Sequence, residues 1–423
     1  MRAAVTPTGR RSPAAADDPT SLGGTIMTAQ RVRRIDAPKV LLTGAALADG
    51  RGPDLRRGVS ILIDHDHVGG IWDDSGVPDV GTVERIDASG TTAIPGMVDC
   101  HSHVTLQGGA DWILRGTDPA ETLLDVAEEN GDMLVRAGVR YARDVGAPRR
   151  DGRALSLRVR DAWAGRLDRP YLRVAGTWLA GPKTLPYDLP VECADGDALL
   201  AAANAQLDDG TDLVKLYLDG PDRDSAPFTE SEVAAVVAAV HARGAKVAAH
   251  ASVAAATAVG ARAGVDSIEH GFALDDDTAA AMAANDVTLV STLAVFQSWL
   301  GFTSTATIER FADPEAPGRM RERQEMAEHS LRIAHAAGVK IAAGSDFGGG
   351  SLRANQLAWE AQALVNAGLQ PWEALAALTW RGGDLMGLPH AGRLEVGGPA
   401  HLVLVHGNPL DDPSALWRVW MVR

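Results

Sequence analysis

From about residue 95 to residue 388 the chain repeats one arrangement: a short apolar run, a polar residue at its end, then a helix-forming segment. The runs include DLVKLYL (212–218), AKVAAHA (245–251), DSIEHG (266–271), VTLVSTL (287–293) and VKIAAGSD (339–346). Short, nearly continuous apolar runs, rather than alternating ones, mark strands of a parallel sheet buried on both faces. Parallel neighbours need a crossover, and the Ala-rich segments between the runs supply it. One of them, TESEVAAVVAAVHARG (229–244), is punctuated as a helix: Thr229 and Glu232 are spaced for a capping box, and Gly244 sits where a C-terminal glycine belongs. At a spacing of roughly 20–35 residues about eight strand–helix units fit, which predicts an α/β fold of the (β/α)8 TIM-barrel type.

The flanks differ. Residues 38–94 hold short β-branched runs separated by Gly, Asp and Pro, and the far end, GRLEVGGPAHLVLVHGNPL then LWRVWMVR, has the same texture. These two ends predict an accessory β-sandwich formed by the N- and C-terminal segments. The expected division is a disordered extension over 1–34, a composite sandwich over 35–94 plus 390–423, and the barrel over 95–389. Met27 is an alternative start to Met1.

In a barrel of this kind chemistry sits at the C-terminal ends of the strands. PGMVDCHSHV (95–104) ends an apolar run in His101 and His103, two apart and so on one side of a strand. His250 ends AKVAAH, His270 ends DSIEH and Asp346 ends VKIAAGSD. Taken singly, each histidine can be a satisfied core residue and Asp346 a helix cap. Four histidines at three strand ends with a carboxylate at a fourth point instead to a metal, for which imidazole is a common ligand. Lys215, within DLVKLYLDG, is costly inside a barrel unless it is paired with an acid or converted to a carbamate.

Composition narrows the partners. Hydrophobic residues make up 46% of 423, and the formal net charge is −15. A balance this acidic argues against nucleic acid and against an anionic membrane surface. No apolar run reaches the roughly 18 residues of a membrane span. No apolar stretch follows Arg10 and Arg11 to make a secretory signal. Only two cysteines, Cys100 and Cys193, are present, which fits a reducing, cytoplasmic setting.

On these motifs the chain resembles the amidohydrolase superfamily, and within it the imidazolonepropionase-like and Xaa-Pro dipeptidase (prolidase-type) branch. The resemblance spans nearly all of 38–423 and rests on PGMVDCHSHV, RAGVRYARDVG (136–146), DLVKLYLDG, KVAAHA, GVDSIEHG (264–271), VKIAAGSDFG and GRLEVGGPAHLVLVHGNPL. It implies two divalent metal ions, zinc above all, and no organic cofactor. His101, His103 and Asp346 would hold one ion, His250 and His270 the other, and an N6-carboxylated Lys215 would bridge them. It further implies a metal-activated hydroxide attacking a carbonyl, with Asp346 as the catalytic proton carrier, and a homo-oligomer acting on a small molecule. Where dipeptidase-type relatives carry Gly-Gly-His, 174–189 holds no histidine. Their Ser-Gly-Gly turn after the lysine is LYLDGPDRDSAP (216–227) here, and their Ala-Asp-Leu-Val is Ala400-His401-Leu402-Val403.

Trp178, Tyr217, Phe296 and Trp299 follow predicted strands and can line an apolar pocket or simply pack loops. Arg115, Arg223 and Arg353 lie in loop-like stretches where an arginine can clamp a carboxylate or face solvent. The expected reaction is hydrolysis of a C–N bond in a dipeptide or N-acyl amino acid. The altered loops and tryptophans motivate an aryl urea, carbamate or anilide as the alternative. A barrel that has lost its chemistry and serves as a scaffold is opposed by the presence of all six ligand candidates.

Overall fold

The computed structural model describes residues 32–185, 189–222, 224–350 and 352–423, so the expected N-terminal extension lies almost wholly outside the described residues. The middle of the chain contains eight strands in parallel succession. The first three are Met97–Ser102, Val139–Asp144 and Tyr171–Val174. The fourth to eighth are Leu213–Tyr217, Lys246–Ala251, Ser267–His270, Thr288–Ser291 and Ile341–Ala343. The third reaches the fourth through Trp178–Ala180, which places Trp178 opposite Lys215. The eighth returns to the first: Asp346 N donates to His101 O at 2.8 Å, and Ser102 bridges Phe347 in parallel.

Helices follow the strands and bury them from outside in a continuous apolar core that includes Val214, Leu216, Val247, Ile268, Leu289 and Ile341. The helix Glu230–Ala242 begins with the expected capping box, and Gly244 takes φ 72° just beyond it. Glu232 also accepts from Gly196 N at 3.0 Å, so one carboxylate caps its own helix and holds the start of Gly196–Asp208. No helix among the described residues is long and apolar enough to cross a membrane. Cys100 and Cys193 are both buried and unpaired.

Strands from both termini meet, and hydrogen bonding joins them into one mixed eight-stranded sheet. Its order is Arg33–Arg34, Val419–Val422, Leu402–His406, Thr91–Pro95, Lys39–Leu47, Arg56–Asp64, His67–Asp73, with Glu84–Asp87 also on Lys39–Leu47. Register shifts at Leu42/Ala45 and Ala45/Leu47 bend it. Its far edge comes round until His67 bridges Pro399, immediately before Leu402–His406. Val40, Ile61, Ile63, Leu402 and Leu404 are buried in the core of this curled sheet.

Thr229→Ala is expected to lower stability by about 1 kcal/mol. Glu232→Ala is expected to lower the melting temperature further, because it releases two helix starts. Equal melting temperatures for the two variants would contradict the shared cap.

Candidate metal centre

The polar ends of five strands converge. Asp99, His101 and His103 alternate along the first strand and just beyond it, so all three side chains point to one side. His101 and His103 present Nε2 to the same Asp346 oxygen, at 3.5 and 3.4 Å. The ligand atoms of His101, His103 and Asp346 lie within 4.8 Å of one another, so this trio can hold a metal ion. The His270 ring stands 4.7 Å from the His101 ring and 4.7 Å from the His250 ring, centre to centre.

The outward nitrogen of each imidazole is already occupied. His101 Nδ1 meets the Glu269 carboxylate at 2.7 Å, His103 Nδ1 the Gly146 carbonyl at 2.8 Å, and His250 Nε2 the Asp219 carboxylate at 3.0 Å. A carbonyl or an ionised carboxylate only accepts, so each of those nitrogens carries the proton. This leaves His101 Nε2, His103 Nε2 and His250 Nδ1 as lone pairs. His270 Nδ1 is bonded to Thr292 Oγ1 at 2.8 Å, which leaves its Nε2. Burial, followed by the neighbouring charges of Lys215 or His250, holds His101 and His270 well below the usual imidazole range, so both stay neutral. Neutral, oriented imidazoles are what a metal requires.

The carboxylates behind them were not evident in the sequence. Glu269 is fully buried and takes Arg143 Nη2 at 2.6 Å on one oxygen and His101 on the other. Arg143 also donates to Cys100 O at 2.6 Å and Ser267 Oγ at 3.0 Å, joining the first, second and sixth strands. Burial works to raise the Glu269 pKa, but Arg143 and Lys215 outweigh it and keep the carboxylate ionised. Asp99 accepts from Ser345 Oγ at 2.6 Å, Ser345 N at 3.0 Å and His101 N at 3.2 Å, which fixes the first and eighth strand ends together. Burial pushes its pKa up to about 6. Asp219 accepts from Ser252 N at 2.7 Å, and its partners, His250 first, hold its pKa well below the usual range despite burial.

Lys215 is 1% exposed and its Nζ has no hydrogen-bond partner. Burial brings its pKa down to about 8. A buried amine among imidazoles with nothing to receive its protons is a poor cation site and a good nucleophile.

A cleft of about 620 Å³ opens over these groups. Tyr217 and Trp178 line it as the sequence suggests: Tyr217 stacks on His250 at 4.0 Å and 7°, and Trp178 lies 5.4 Å from the His103 ring. Trp299 lines it too, whereas Phe296 is fully buried behind Phe272 and Trp299. Arg353 is not in the cleft; it sits in a separate recess with Gln107 and Glu129, its Nη2 3.9 Å from Met133 Sδ. Arg115 is also outside it, facing Asp111 and Asp118 at 3.8 and 3.5 Å, and Arg223 lies outside the described residues. Among the described residues, the arginines lining the cleft are Arg310 and Arg323, from the long segment between the seventh and eighth strands. Arg310 lies over the Trp299 ring at 5.0 Å.

The model of the amidohydrolase family matches residues 92–422. An uncharacterized protein of Mycobacterium bovis is 32% identical over 327 residues, 76% of this chain and 81% of that protein. The solved structure of an amidohydrolase superposes with TM-score 0.78 at 26% identity, covering 91% of this chain and 97% of that one. A Xaa-Pro dipeptidase with methionine bound in its active site gives TM-score 0.77 at 26% identity, covering 90% and 97%. These likenesses imply a TIM-barrel-type α/β fold.

Glu269→Gln leaves Arg143 buried without its counter-charge and frees the His101 ring. Expected are a stability loss of about 3–5 kcal/mol and at least a roughly tenfold weaker hold on metal. Denaturant unfolding and metal analysis after dialysis against a chelator check both. Unchanged metal content would remove Glu269 from its orienting role.

Proposed function

This chain belongs to the amidohydrolase family and is a hydrolase of carbon–nitrogen bonds, and from that premise we propose that it cleaves the amide bond of a dipeptide or N-acyl amino acid with the help of bound divalent metal. We read its eight parallel strands as a (β/α)8 barrel and the sheet from both termini as an accessory domain. The observation that carries the reading is the occupancy of the outward ring nitrogens, which leaves the inward ones free together. On this reading His101 Nε2, His103 Nε2 and Asp346 would hold one ion, His250 Nδ1 and His270 Nε2 would hold a second, and a carboxylated Lys215 would add a ligand between them. The partnerless Lys215 nitrogen supports that assignment, and imidazole with carboxylate is a donor set that suits zinc.

Ions bound there supply Lewis acidity, acidifying water and polarising an amide oxygen. Asp346, 6% exposed and lining the cleft, would take a proton on its carboxylate and return it to the leaving nitrogen. Trp178 and Tyr217 brace His103 and His250 while walling the substrate space. Trp112, Leu185, Phe272 and Met326 extend the apolar wall, and Arg310 offers a guanidinium to a substrate carboxylate. The aromatic lining favours one second reading, an aryl urea, carbamate or anilide that needs no carboxylate.

Substrate choice separates the two. Arg310→Met is expected to raise KM at least tenfold for N-acyl amino acids and to leave neutral anilides unchanged. Equal effects on both would remove the clamp. A screen of dipeptides, N-acyl amino acids, aryl ureas and carbamates in which only neutral substrates turn over would favour the second reading.

Lys215 gives a pH test. Its neutral amine adds to CO2, forming the N–C bond of a carbamate and releasing one proton. Only the unprotonated form reacts, and it grows as pH rises through about 8. Metal loading of stripped protein at a fixed concentration of dissolved CO2 should therefore be faster at pH 9 than at pH 7. Lys215→Ala should hold one ion or fewer, turn over negligibly and lose this pH response. Full metal content and rate in Lys215→Ala would end the bridging assignment.

A further inference from the structure

Away from the cleft, the start of the second strand meets the curled sheet at a small cavity lined by Arg34, Ile35, Asp66, Arg140, Leu167, Ala400, His401 and Arg423. Arg140 is 2% exposed, and its Nε is fully buried with no hydrogen-bond partner. It makes no ion pair among the described residues. Its placement is not accidental to the packing: a Cβ at Gly96 would come within 2.5 Å of Arg140 Cγ, so the backbone there leaves room for the arginine stem.

The surroundings add positive charge. Arg423 spends its guanidinium on the carbonyls of Ile35, Ala37 and His65 and, among the described residues, hydrogen-bonds no carboxylate. Arg34 reaches Asp36 at 3.5 Å, in solvent. Asp66, the one acid lining the cavity, is 89% exposed at its side chain and faces His67 at 3.4 Å. His401 Nδ1 is bonded to the Tyr141 hydroxyl at 2.8 Å, and burial, then Arg140, holds the ring neutral. Asp168 acts on Arg140 from beyond ion-pair distance and is itself bonded to Arg166 and Arg169. A guanidinium this buried with no carboxylate against it costs several kcal/mol, and an anion in the cavity lowers that cost. The space is about 30 Å³, enough for one or two water-sized groups and too small for an organic acid.

We propose that this cavity binds a small monovalent inorganic anion of chloride size, held by Arg140 and favoured by Arg34 and Arg423. Arg140 belongs to the second parallel strand, while Arg34, His401 and Arg423 belong to or flank the sheet from the termini. The anion therefore ties the two parts of the fold together without touching the metal centre.

The test uses the full chain at constant ionic strength, exchanging sodium gluconate for sodium chloride or bromide. At ten times the half-saturating concentration, chloride should raise the melting temperature by about 2 °C over gluconate. Bromide-soaked crystals should show an anomalous peak within about 3.5 Å of the Arg140 guanidinium. Arg140→Met replaces a buried charge by an apolar chain of similar reach. It should keep hydrolytic activity and lose both the chloride shift and the bromide peak. No chloride-specific shift in the wild type, or a shift that survives in Arg140→Met, overturns the proposal. Should Arg140→Met not fold, absence of the bromide peak in the wild type, where water alone would then fill the space, overturns it.

Discussion

The Glu269 carboxylate, enclosed between Arg143 and His101, is the interaction on which the rest of the site depends. Taking both charges out of water costs several kcal/mol per ion, and good geometry only offsets that. The pair is therefore better understood as an orienting device than as a source of stability. Through Arg143 it gathers the Cys100 carbonyl and Ser267, and through His101 it sets which ring nitrogen faces inward. A negative charge fixed at that point also partly compensates Lys215, whose own nitrogen has no partner.

The strand ends are shaped to let this happen. His270 and Asp346 take φ of 76° and 52°, a left-handed conformation that non-glycine residues adopt at a cost of about 1 kcal/mol or more. Both are overdetermined by bonds nearby: Gly271 N donates to Ala251 O at 3.1 Å, and Asp346 N to His101 O at 2.8 Å. The turn at His270 has a specific consequence. Strand alternation would send Glu269 and His270 to opposite faces, yet both serve the centre because the chain leaves strand geometry between them. Gly349 contributes by absence. A Cβ there would lie 2.6 Å from Asp346 Oδ1 and 2.7 Å from His103 Cδ2.

This explains what the sequence could and could not reveal. His101, His103, His250, His270 and Asp346 are legible because each ends an apolar run, and strand ends are where a parallel α/β fold presents its polar side chains. The capping box of 229–244 is legible because its partners are three residues apart. Glu269 meets His101 across 168 positions and Ser345 meets Asp99 across 246, and no local pattern announces either bond. Glu269 was further masked by the alternation rule that the turn at His270 breaks. The cleft arginines are hidden in the sequence for a related reason. Arg353 follows the eighth strand directly and looks placed for substrate, but Arg310 is brought over the cleft by the long segment after the seventh strand. The terminal sheet shows the same limit: its strands were visible, while its single curled layer depends on register shifts at Leu42 and Ala45.

The cleft wall divides into two kinds of residue, and the division bears on how such a site changes substrate. Tyr217 lies flat on His250 and Trp178 sits against His103, so altering either disturbs one of the four imidazoles as well as the cleft. Trp112, Leu185, Trp299, Arg310 and Met326 line the same space without contacts of that kind to the four imidazoles. Substitutions among these five can reshape the substrate space while leaving the chemistry in place. Of the loop segments whose sequences depart from the dipeptidase pattern, 174–189 contains residues of both kinds, Trp178 and Leu185, while 216–227 contributes Tyr217. Change there is constrained at Trp178, Tyr217 and Asp219, the last bonded to His250 Nε2, so a shift in specificity is expected to run through the cleft-lining positions that touch none of the four imidazoles.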